Sequence, residues 1–557
     1  MSLSTIFRRF GLLALAAGST AFAADISVTS PGYPATDYSE QSPGKPGGVL
    51  RASASYVPDS LDVHIQKNGN LLWEGRLIYD SLVYLDPTGQ ATPWLARSWS
   101  VSPDGRTYTF RLREDVTFSD GTRFDAAAVQ ANLDRIKTLG PKSQLASAYI
   151  EPYVDARVLG DFTLEVHLAS AFPDFLSYLA QSWLGLVSPR QIRENPGGIK
   201  TNPIGTGPFV VAENDPGKRT VFKRRADYAW APDVLHHAGP AYLEGIVLES
   251  VPDEAARAAA LRSGQHDLSL EAPLLDIATL RADPRFVVSN RVRPGSPMRS
   301  LAFNTARPPF DDVRLRRAAA LAINRQPIAD LIAPGEFLSK NDFLGATTRG
   351  YDASFKDALA YNPTAANAAL DAAGWNARGP DGIRLKNGQR LAAELLTTGD
   401  ERTPPASVLA MQSDLRKVGL DLRLITVKSA ELTERVRAGR YDALAGGWWT
   451  SPTADVLFLL YHSSQRARQN SFGQDTARIS DPVLDDLLLR ARQTPDGEAR
   501  LALYRDAQRL LTELVPVVPL HESHHVIAYD RRLHGLLFDT VHNTPILTAA
   551  WLEGVPR

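Results

Sequence analysis

The sequence predicts an α/β protein with more than one domain, and three observations support this. The chain has 557 residues, a length that corresponds to roughly two to four domains. Helical and strand-like segments alternate from about residue 297 to 520, which is typical of an α/β domain. Short alternating segments with Asp-Gly turns fill residues 93–118 and indicate an antiparallel region. The composition, 44% hydrophobic and 22% charged, is that of an ordinary globular protein.

The first 23 residues have the pattern of a secretory signal peptide. The pair Arg8–Arg9 precedes a short apolar stretch, and an A-x-A cleavage site ends at residue 23. The apolar stretch is too short to span a bilayer. The paired arginines allow a twin-arginine export route, but their flanking residues favour the general one. We expect residues 24–47, rich in Ser, Pro and Gly, to form an irregular arm.

Charge and cysteine content narrow the class of protein. The net charge is −1 and the pI is about 6.9, so nothing points to nucleic acid or an anionic membrane surface. The chain contains no cysteine, so we expect no disulfide bond and no lipid anchor attached to a cysteine after the signal peptide. A free, monomeric periplasmic protein that depends on its hydrophobic cores is expected.

Local patterns predict the elements in order. Residues 48–56 alternate as a strand, and residues 71–83 have helical spacing. Asp125 is expected to cap a helix that runs to Ile136, and residues 241–292 follow a strand–helix–strand pattern. Further helices are expected near 312–332, 363–373, 404–418, 429–438, 481–492 and 497–513. Further strands are expected at 299–304, 391–397, 420–426 and 442–447.

Six short patterns, in order along the chain, resemble one family. They are PWLARSW (93–99) with SPDGRTYTFRLR (102–113) and VTFSDG (116–121), NPIGTGPF (202–209), ALRSGQHD (260–267), FN (303–304) with PFDDVRLRRA (309–318) and AINR (322–325), YNP (361–363), and AGW (373–375). They resemble the family 5 extracellular solute-binding proteins, the peptide- and nickel-binding components of ABC importers. The resemblance covers about residues 48–550.

The resemblance implies a two-lobed periplasmic binding protein fold of class II type, in which a hinge joins the lobes and a solute is enclosed between them. Lobe I would comprise 24–292 plus 526–557, with an extra inserted subdomain at about 71–202. Lobe II would comprise 293–525. The solute would then pass to an ABC permease in the inner membrane, with no cofactor and no catalytic step.

A tryptophan pair, Trp448 and Trp449, is the most informative local feature. Two glycines precede it and a Ser-Pro-Thr turn follows, which predicts a strand that ends in a binding loop. Adjacent side chains of a strand point to opposite faces, so we expect one ring to be buried and the other to face the cleft. Peptide-binding members of the family carry an aspartate three residues after the tryptophan, which pairs with the ligand's α-amino group.

That aspartate is absent here, because Ser451 and Pro452 occupy the corresponding positions. A buried ammonium without a carboxylate would be costly. Either Asp455 takes over the anchoring role or the ligand lacks a free α-amine, and we favour the second alternative. The further candidates for ligand contact are Tyr56, His64, Tyr461, His462 and His521.

A zinc-protease pattern at His521–His525 is judged a coincidence. The motif H-E-x-x-H needs a helix to bring both histidines to one metal. Its apolar, β-branched surroundings predict a strand, in which the two histidines would lie about 13 Å apart. We therefore predict no protein-bound metal. The sequence favours a binding protein for a peptide-like solute or a metal chelate; the alternatives are an ordinary di- or oligopeptide-binding protein and, remotely, a zinc-dependent hydrolase.

Overall fold

The computed structural model describes residues 44–66, 71–143, 145–398, 406–447, 449–466 and 473–554. The predicted signal peptide, most of the predicted arm, and Trp448 lie outside these ranges. The described chain forms two large sheets flanked by helices and a smaller antiparallel sheet. None of the helices in this part of the chain is long and apolar enough to cross a membrane.

The first large sheet is centred on the predicted first strand, Val49–Ala54. This strand runs parallel to both of its neighbours, Gly245–Ser250 and Leu268–Ser269. Its alternate residues Leu50 and Ala52 are fully buried, as a packed sheet face requires. The seven described strands of this sheet, in spatial order, are Phe286–Val292, His524–Asp530, Leu268–Ser269, Val49–Ala54, Gly245–Ser250, Arg219–Arg224 and Phe209–Asp215.

The antiparallel sheet lies in the chain between two strands of the first sheet. The antiparallel region predicted at 93–118 contains one hairpin, Ala96–Val101 with Thr107–Leu112, whose next neighbour in the sheet comes from residues 163–168. Gly105 (φ +70°) lies in the hairpin turn and Gly121 (φ +81°) in a later turn, both in the left-handed region that glycine favours. Asp125 caps the helix that follows by accepting a hydrogen bond from Ala128 N. In spatial order its strands are Ala96–Val101, Thr107–Leu112, Thr163–Leu168 and Tyr153–Gly160.

The second large sheet contains the predicted strands of the C-terminal half. Ala392–Thr398 runs parallel to Asp421–Val427 and to Ala443–Ala445, so these three strands end at one edge. Loops at the carboxyl ends of parallel strands are the usual binding positions in α/β folds. In spatial order the described strands are Asp421–Val427, Ala392–Thr398, Ala443–Ala445, Met298–Phe303 and Val517–His521.

Two short segments connect the large sheets, residues 293–297 and residues 522–523. We call the part built on the seven-stranded sheet, with its inserted antiparallel sheet, lobe I. The part built on the five-stranded sheet is lobe II. The fold is therefore mixed α/β and two-lobed, as predicted, with two crossovers that together form a hinge.

Three sequence predictions about elements were wrong in detail. The helix predicted at 71–83 ends at Ile78, whose carbonyl accepts a hydrogen bond from Gly207, and Val83–Leu85 is a strand. The helix predicted at 312–332 is two helices, because Asn324 N donates to the buried Asp414 carboxylate at the break. The single strand predicted around His521–His525 is two strands in different sheets.

The remaining elements pack around these sheets. The described α-helices are Leu71–Ile78, Ala126–Leu139, Ala146–Tyr149, Phe175–Leu179, Pro189–Glu194, Glu254–Ser263, Ile277–Ala282, Val313–Ala322, Arg325–Ile332, Pro363–Ala372, Ala406–Lys417, Ser429–Ala438, Val456–Tyr461, Pro482–Gln493 and Gly497–Leu514. Small sheets are formed by Val83–Leu85 with Ala91–Pro93, Ala377–Arg378 with Arg384–Lys386 and Gln389–Arg390, Leu533–His534 with Trp551–Leu552, and Leu537–Phe538 with Pro545–Ile546.

Candidate functional site

The loop that contains Trp449 leaves the carboxyl end of strand Ala443–Ala445 and lies against lobe I. Gly446 (φ +71°) and Gly447 (φ +99°) turn the chain out of the sheet in conformations that other residues rarely adopt. Trp449 is half-buried, and its enclosed indole N–H lies beside the Tyr149 hydroxyl of lobe I. A buried indole N–H normally finds a partner, and this hydroxyl is the group that the tryptophan meets.

Tyr149 of lobe I contacts this loop directly. Its hydroxyl donates to the carbonyl of Thr450 at 3.3 Å and lies beside the Trp449 indole. Tyr149 stacks on Tyr178 with ring centroids 4.8 Å apart, and Tyr178 stacks on Phe172 at 5.5 Å. Three aromatic rings of the inserted segment thus form a wall on the lobe I side, opposite Trp449.

Asp455 is fully buried, and its carboxylate is engaged by both lobes. Tyr178 of lobe I donates to Oδ2 at 2.9 Å, and Tyr504 of lobe II donates to Oδ1 at 3.4 Å. Arg492 Nε lies 3.7 Å from Oδ1. Burial raises the pKa of Asp455 to about 6, although Arg492 opposes the shift. This carboxylate therefore joins the lobes through protein groups.

Arg492 occupies an unusual position between the lobes. Its guanidinium lies 4.5 Å from the ring centroid of Phe172 in lobe I and 4.1 Å from that of Phe458 in lobe II. Glu151 of lobe I approaches it at 3.7 Å. The side chain is buried, and none of its three nitrogens has a hydrogen-bond partner among the residues that the structure describes. Together with Asp455 and Tyr178 it forms a closed contact that we call the interlobe latch.

Two of the predicted ligand-contacting residues, Tyr461 and His462, lie beside the interlobe latch, and their side chains pack against other protein groups. Tyr461 is 1% exposed and packs edge-on against Phe343, with ring centroids 6.1 Å apart. His462 stacks on Phe458 at 4.4 Å, and its Nδ1 lies 2.7 Å from Ser464 Oγ. Partial burial lowers the pKa of His462 and keeps the ring neutral at pH 7.

The two lobe I candidates differ in availability. Tyr56 is exposed at the end of the first strand, and its hydroxyl accepts from Asp59 N at 3.3 Å. His64 is fully buried: Nε2 donates to the Gly185 carbonyl at 2.9 Å, and Nδ1 accepts from Arg135 at 2.7 Å. Burial lowers the pKa of His64 to about 4, with Arg135 adding to the effect. Both ring nitrogens are therefore used within lobe I.

His521 ends the last strand of lobe II at the hinge. Its ring stacks on Phe337 at 4.8 Å, and Nδ1 donates to the Glu522 carbonyl at 2.5 Å. His525 belongs to the other sheet, and its ring nitrogens lie 3.0 Å from the Asn543 carbonyl and 2.9 Å from the Leu270 carbonyl, to one of which the neutral ring donates. The H-E-x-x-H pattern therefore spans the crossover, and no cluster of metal-ligating side chains occurs among the described residues.

Sequence reasoning missed Arg492, Tyr149 and Tyr178. Arg492 falls on a helix that looks like an ordinary amphipathic surface helix, and the tyrosines fall in short apolar stretches. Only the docking of the inserted segment on lobe II brings them together. No local signal in the sequence could have indicated that contact.

Fold and site define a two-lobed α/β protein whose lobes meet at a buried aromatic and charged contact beside a hinge. Residues 90–470 match the family described as bacterial extracellular solute-binding proteins, family 5 Middle. The match spans more than half of the chain. This protein belongs to that family, whose members act in transport.

Curated relatives agree with this assignment. The nickel-binding periplasmic protein of Escherichia coli strain K12 is 30% identical over 464 residues, covering 81% of this chain and 84% of the relative. A dipeptide-binding protein of Pseudomonas aeruginosa is 27% identical over 486 residues, covering 82% and 86%. The similarity thus extends to members named for different ligands.

Solved structures show the same range of ligands. NikA from Brucella suis in complex with Fe(III)-EDTA has a TM-score of 0.79 at 27% identity, covering 91% of this chain and 100% of that one. DppA from Helicobacter pylori in complex with the peptide STSA has a TM-score of 0.77 at 25% identity, covering 91% and 99%. AgaA from Agrobacterium tumefaciens R10, in complex with agropinic acid, has a TM-score of 0.73 at 25% identity, covering 91% and 99%.

Proposed function

We propose that this protein captures a metal chelate, or a peptide-like solute without a free α-amino group, in the cleft between its lobes. It acts as a monomer in the periplasm, closes about the hinge when solute contacts both lobes, and delivers the solute to an ABC permease of the inner membrane. It performs no catalytic step and has no nucleic-acid partner. Lobe I is assigned to 24–292 and 526–557, with the insertion at 71–202, and lobe II to 293–525.

The main support for this proposal is that the Asp455 carboxylate is already hydrogen-bonded by other groups of the protein. It is the nearest acidic residue after the tryptophan pair, and its oxygens are already bonded by Tyr178 and Tyr504. An incoming ammonium would have to displace these partners inside a buried site, which is unfavourable. A solute that needs no amine anchor fits better.

The contact residues are assigned by their availability. Trp449 forms the lobe II wall, with Tyr56 on lobe I and His462 and His521 at the edges, and Trp448, which lies outside the described residues, is assigned as a contact from the sequence alone. Asp455 closes the lobes, and His64 and Tyr461 support the walls by packing. The neutral His521 ring, whose Nδ1 donates to the Glu522 carbonyl, keeps a lone pair on Nε2 that can bind a metal held in a chelate.

An ordinary di- or oligopeptide ligand is the second candidate. It is favoured by the relatives that are named for dipeptides and by the peptide bound to the Helicobacter pylori protein. A peptide would be held by strand-like backbone hydrogen bonds along the cleft. A zinc-dependent hydrolase is a remote third, because His521 and His525 belong to different sheets.

Thermal shift against four compounds separates these candidates. They are the nickel–L-histidine complex, iron(III)–EDTA, the dipeptide Ala-Ala and N-acetyl-Ala-Ala. Stabilisation by a chelate or by the acetylated peptide supports the proposal, and Trp449→Ala should abolish it while the remote Trp375→Ala should not. Stabilisation by the free-amine dipeptide alone would establish the second candidate instead.

A further inference from the structure

The hinge crossover 293–297 is bonded directly to the tryptophan loop. Ser296 N donates to the Trp449 carbonyl at 2.8 Å, and Trp449 N donates to Ser296 Oγ at 2.9 Å. Ser451 N donates to the Pro294 carbonyl at 3.3 Å. Residues 449–451 therefore lie antiparallel to residues 294–296, as a short ladder attached to the hinge.

Gly295 allows this close approach. Its φ is +122°, and a Cβ atom there would lie 1.9 Å from the Trp449 carbonyl oxygen and 2.8 Å from Ser451 N. Any side chain would push the loop away from the crossover. The backbone contact is thus specified by the sequence at one position.

A second set of bonds holds the crossover from the other side. Thr348 Oγ1 accepts from Gly295 N at 2.7 Å and donates to its carbonyl at 3.1 Å. Gly345 N also donates to that carbonyl, at 2.7 Å. The middle of the crossover is therefore fixed to lobe II and moves with it.

Lobe I binds the chain at Val292, the residue that precedes the crossover. Asn543 Nδ2 donates to the Val292 carbonyl at 2.9 Å, and Val292 is paired in the lobe I sheet. Arg293 N donates to Ser523 O at 2.6 Å, which joins the two crossovers. Bending between the lobes is thereby confined to the peptides around Arg293–Pro294 and Ser523.

These bonds form a continuous path from the hinge to lobe I. The Ser296 hydroxyl accepts a hydrogen bond from Trp449 N. The carbonyl of the next residue, Thr450, accepts a hydrogen bond from Tyr149 of lobe I, and the Trp449 indole lies beside the same tyrosine. We infer that Ser296 is a positioning residue that couples contact at the Trp449 wall to bending at the hinge. This inference rests on the proposed role of Trp449 as a solute-contacting wall.

Interlobe distances test the inference without any solute. The chain has no cysteine, so Val158→Cys on lobe I and Val483→Cys on lobe II, both exposed, accept a pair of spin labels. We expect Ser296→Ala to shift the distance distribution to longer values, because the loop that accepts a hydrogen bond from Tyr149 of lobe I is no longer fixed to the hinge by the Ser296 hydroxyl. Ser296→Thr, which keeps the hydroxyl, should restore the wild-type distribution.

A matched control separates coupling from local packing. Thr305→Val removes another lobe II hydroxyl, which donates to the Arg478 carbonyl away from the hinge, and should leave the distances unchanged. Ser296→Ala that lowers the melting temperature yet leaves the distances as in the wild type would overturn the inference. Because no solute is added, that result would leave the proposed solute class untouched.

Discussion

The Tyr178 hydroxyl of lobe I donates to the Asp455 carboxylate of lobe II at 2.9 Å, with both side chains fully buried. The bond joins the inserted segment of lobe I to the loop after the tryptophan pair in lobe II. A hydrogen bond to a buried carboxylate contributes about 1–3 kcal/mol. The balance between open and closed forms therefore depends on this pair even before solute arrives.

Tyr178→Phe should shift the protein towards the open form. The ring keeps its stacking on Tyr149 and Phe172, so only the hydroxyl is lost. We expect longer distances between spin labels at Val158→Cys and Val483→Cys, and roughly tenfold weaker solute binding. Tyr153→Phe is the matched control, because its hydroxyl bonds Asp134 within lobe I. Equal distances in the two variants would show that the hydroxyl does not hold the lobes together.

Closure should also depend on pH through Asp455. Burial raises the pKa of its carboxyl to about 6 in the closed arrangement, with Arg492 opposing and Asp174 adding to the shift. A solvated carboxyl has a pKa near its ordinary value of about 4, so the closed form binds the proton more tightly. Closure is favoured as pH falls from 6 towards 4, and this advantage is lost as pH rises through 6. Label distances in Asp455→Asn should change less over that range; an equal change would assign the effect to another group.

Glu74 should destabilise the protein at neutral pH. Both carboxyl oxygens are buried without a hydrogen-bond partner in the described part of the chain, and burial raises the pKa of Glu74 well above its ordinary value. The folded state binds the proton more tightly than the unfolded one, so stability is lost as pH rises above about 4.5. Glu74→Leu should raise the free energy of unfolding at pH 7 by about 1–3 kcal/mol, and less at pH 4. Urea unfolding measures this, with the exposed Glu114→Leu as control; a loss of stability would indicate that the carboxyl has a structural partner.

Buried histidines should make the fold sensitive to acid. Burial lowers the pKa of His64 to about 4 and those of His525 and His542 to about 3. The unfolded state binds protons more tightly, so their contribution is complete above pH 6.5 and is lost as pH falls below it.

Buried carboxyls such as Glu74 act in the opposite direction over this pH range, so the histidine contribution is measured as the difference in melting temperature between a variant and the wild type. His525→Asn should have a melting temperature that falls less steeply below pH 6.5 than that of the wild type, since it removes one of the groups that takes up a proton on unfolding. The exposed His236→Asn should not change the pH dependence. A His525→Asn variant with the same pH dependence as the wild type between pH 6.5 and 4 would show that this ring takes up no extra proton on unfolding.

Much of the fold could be predicted because its signals are local. The capping Asp125, the two Asp-Gly turns and the alternating strands each follow from a few neighbouring residues. Errors occurred where distant groups decide the backbone. The helix after Leu71 ends where Gly207 reaches the Ile78 carbonyl, and a strand pattern near His521 continues across a boundary between two sheets.

The site was less predictable because it is made between lobes. Trp449 was found from its glycines and its turn, and the loss of the usual aspartate could be seen directly. The partners of Asp455, namely Tyr178, Tyr504 and Arg492, lie far away in sequence and carry no motif. Ser296 is an ordinary serine until the backbone of Trp449 is placed beside it.

Mass spectrometry of the solute released from protein purified without denaturation tests the proposed solute class most directly. Because Tyr178 and Tyr504 already donate hydrogen bonds to Asp455, we predict a metal chelate, or a peptide-like compound whose amino group is blocked or absent, with one molecule bound per chain. Recovery of di- or oligopeptides with free amino termini, able to rebind with the same stoichiometry, would contradict it.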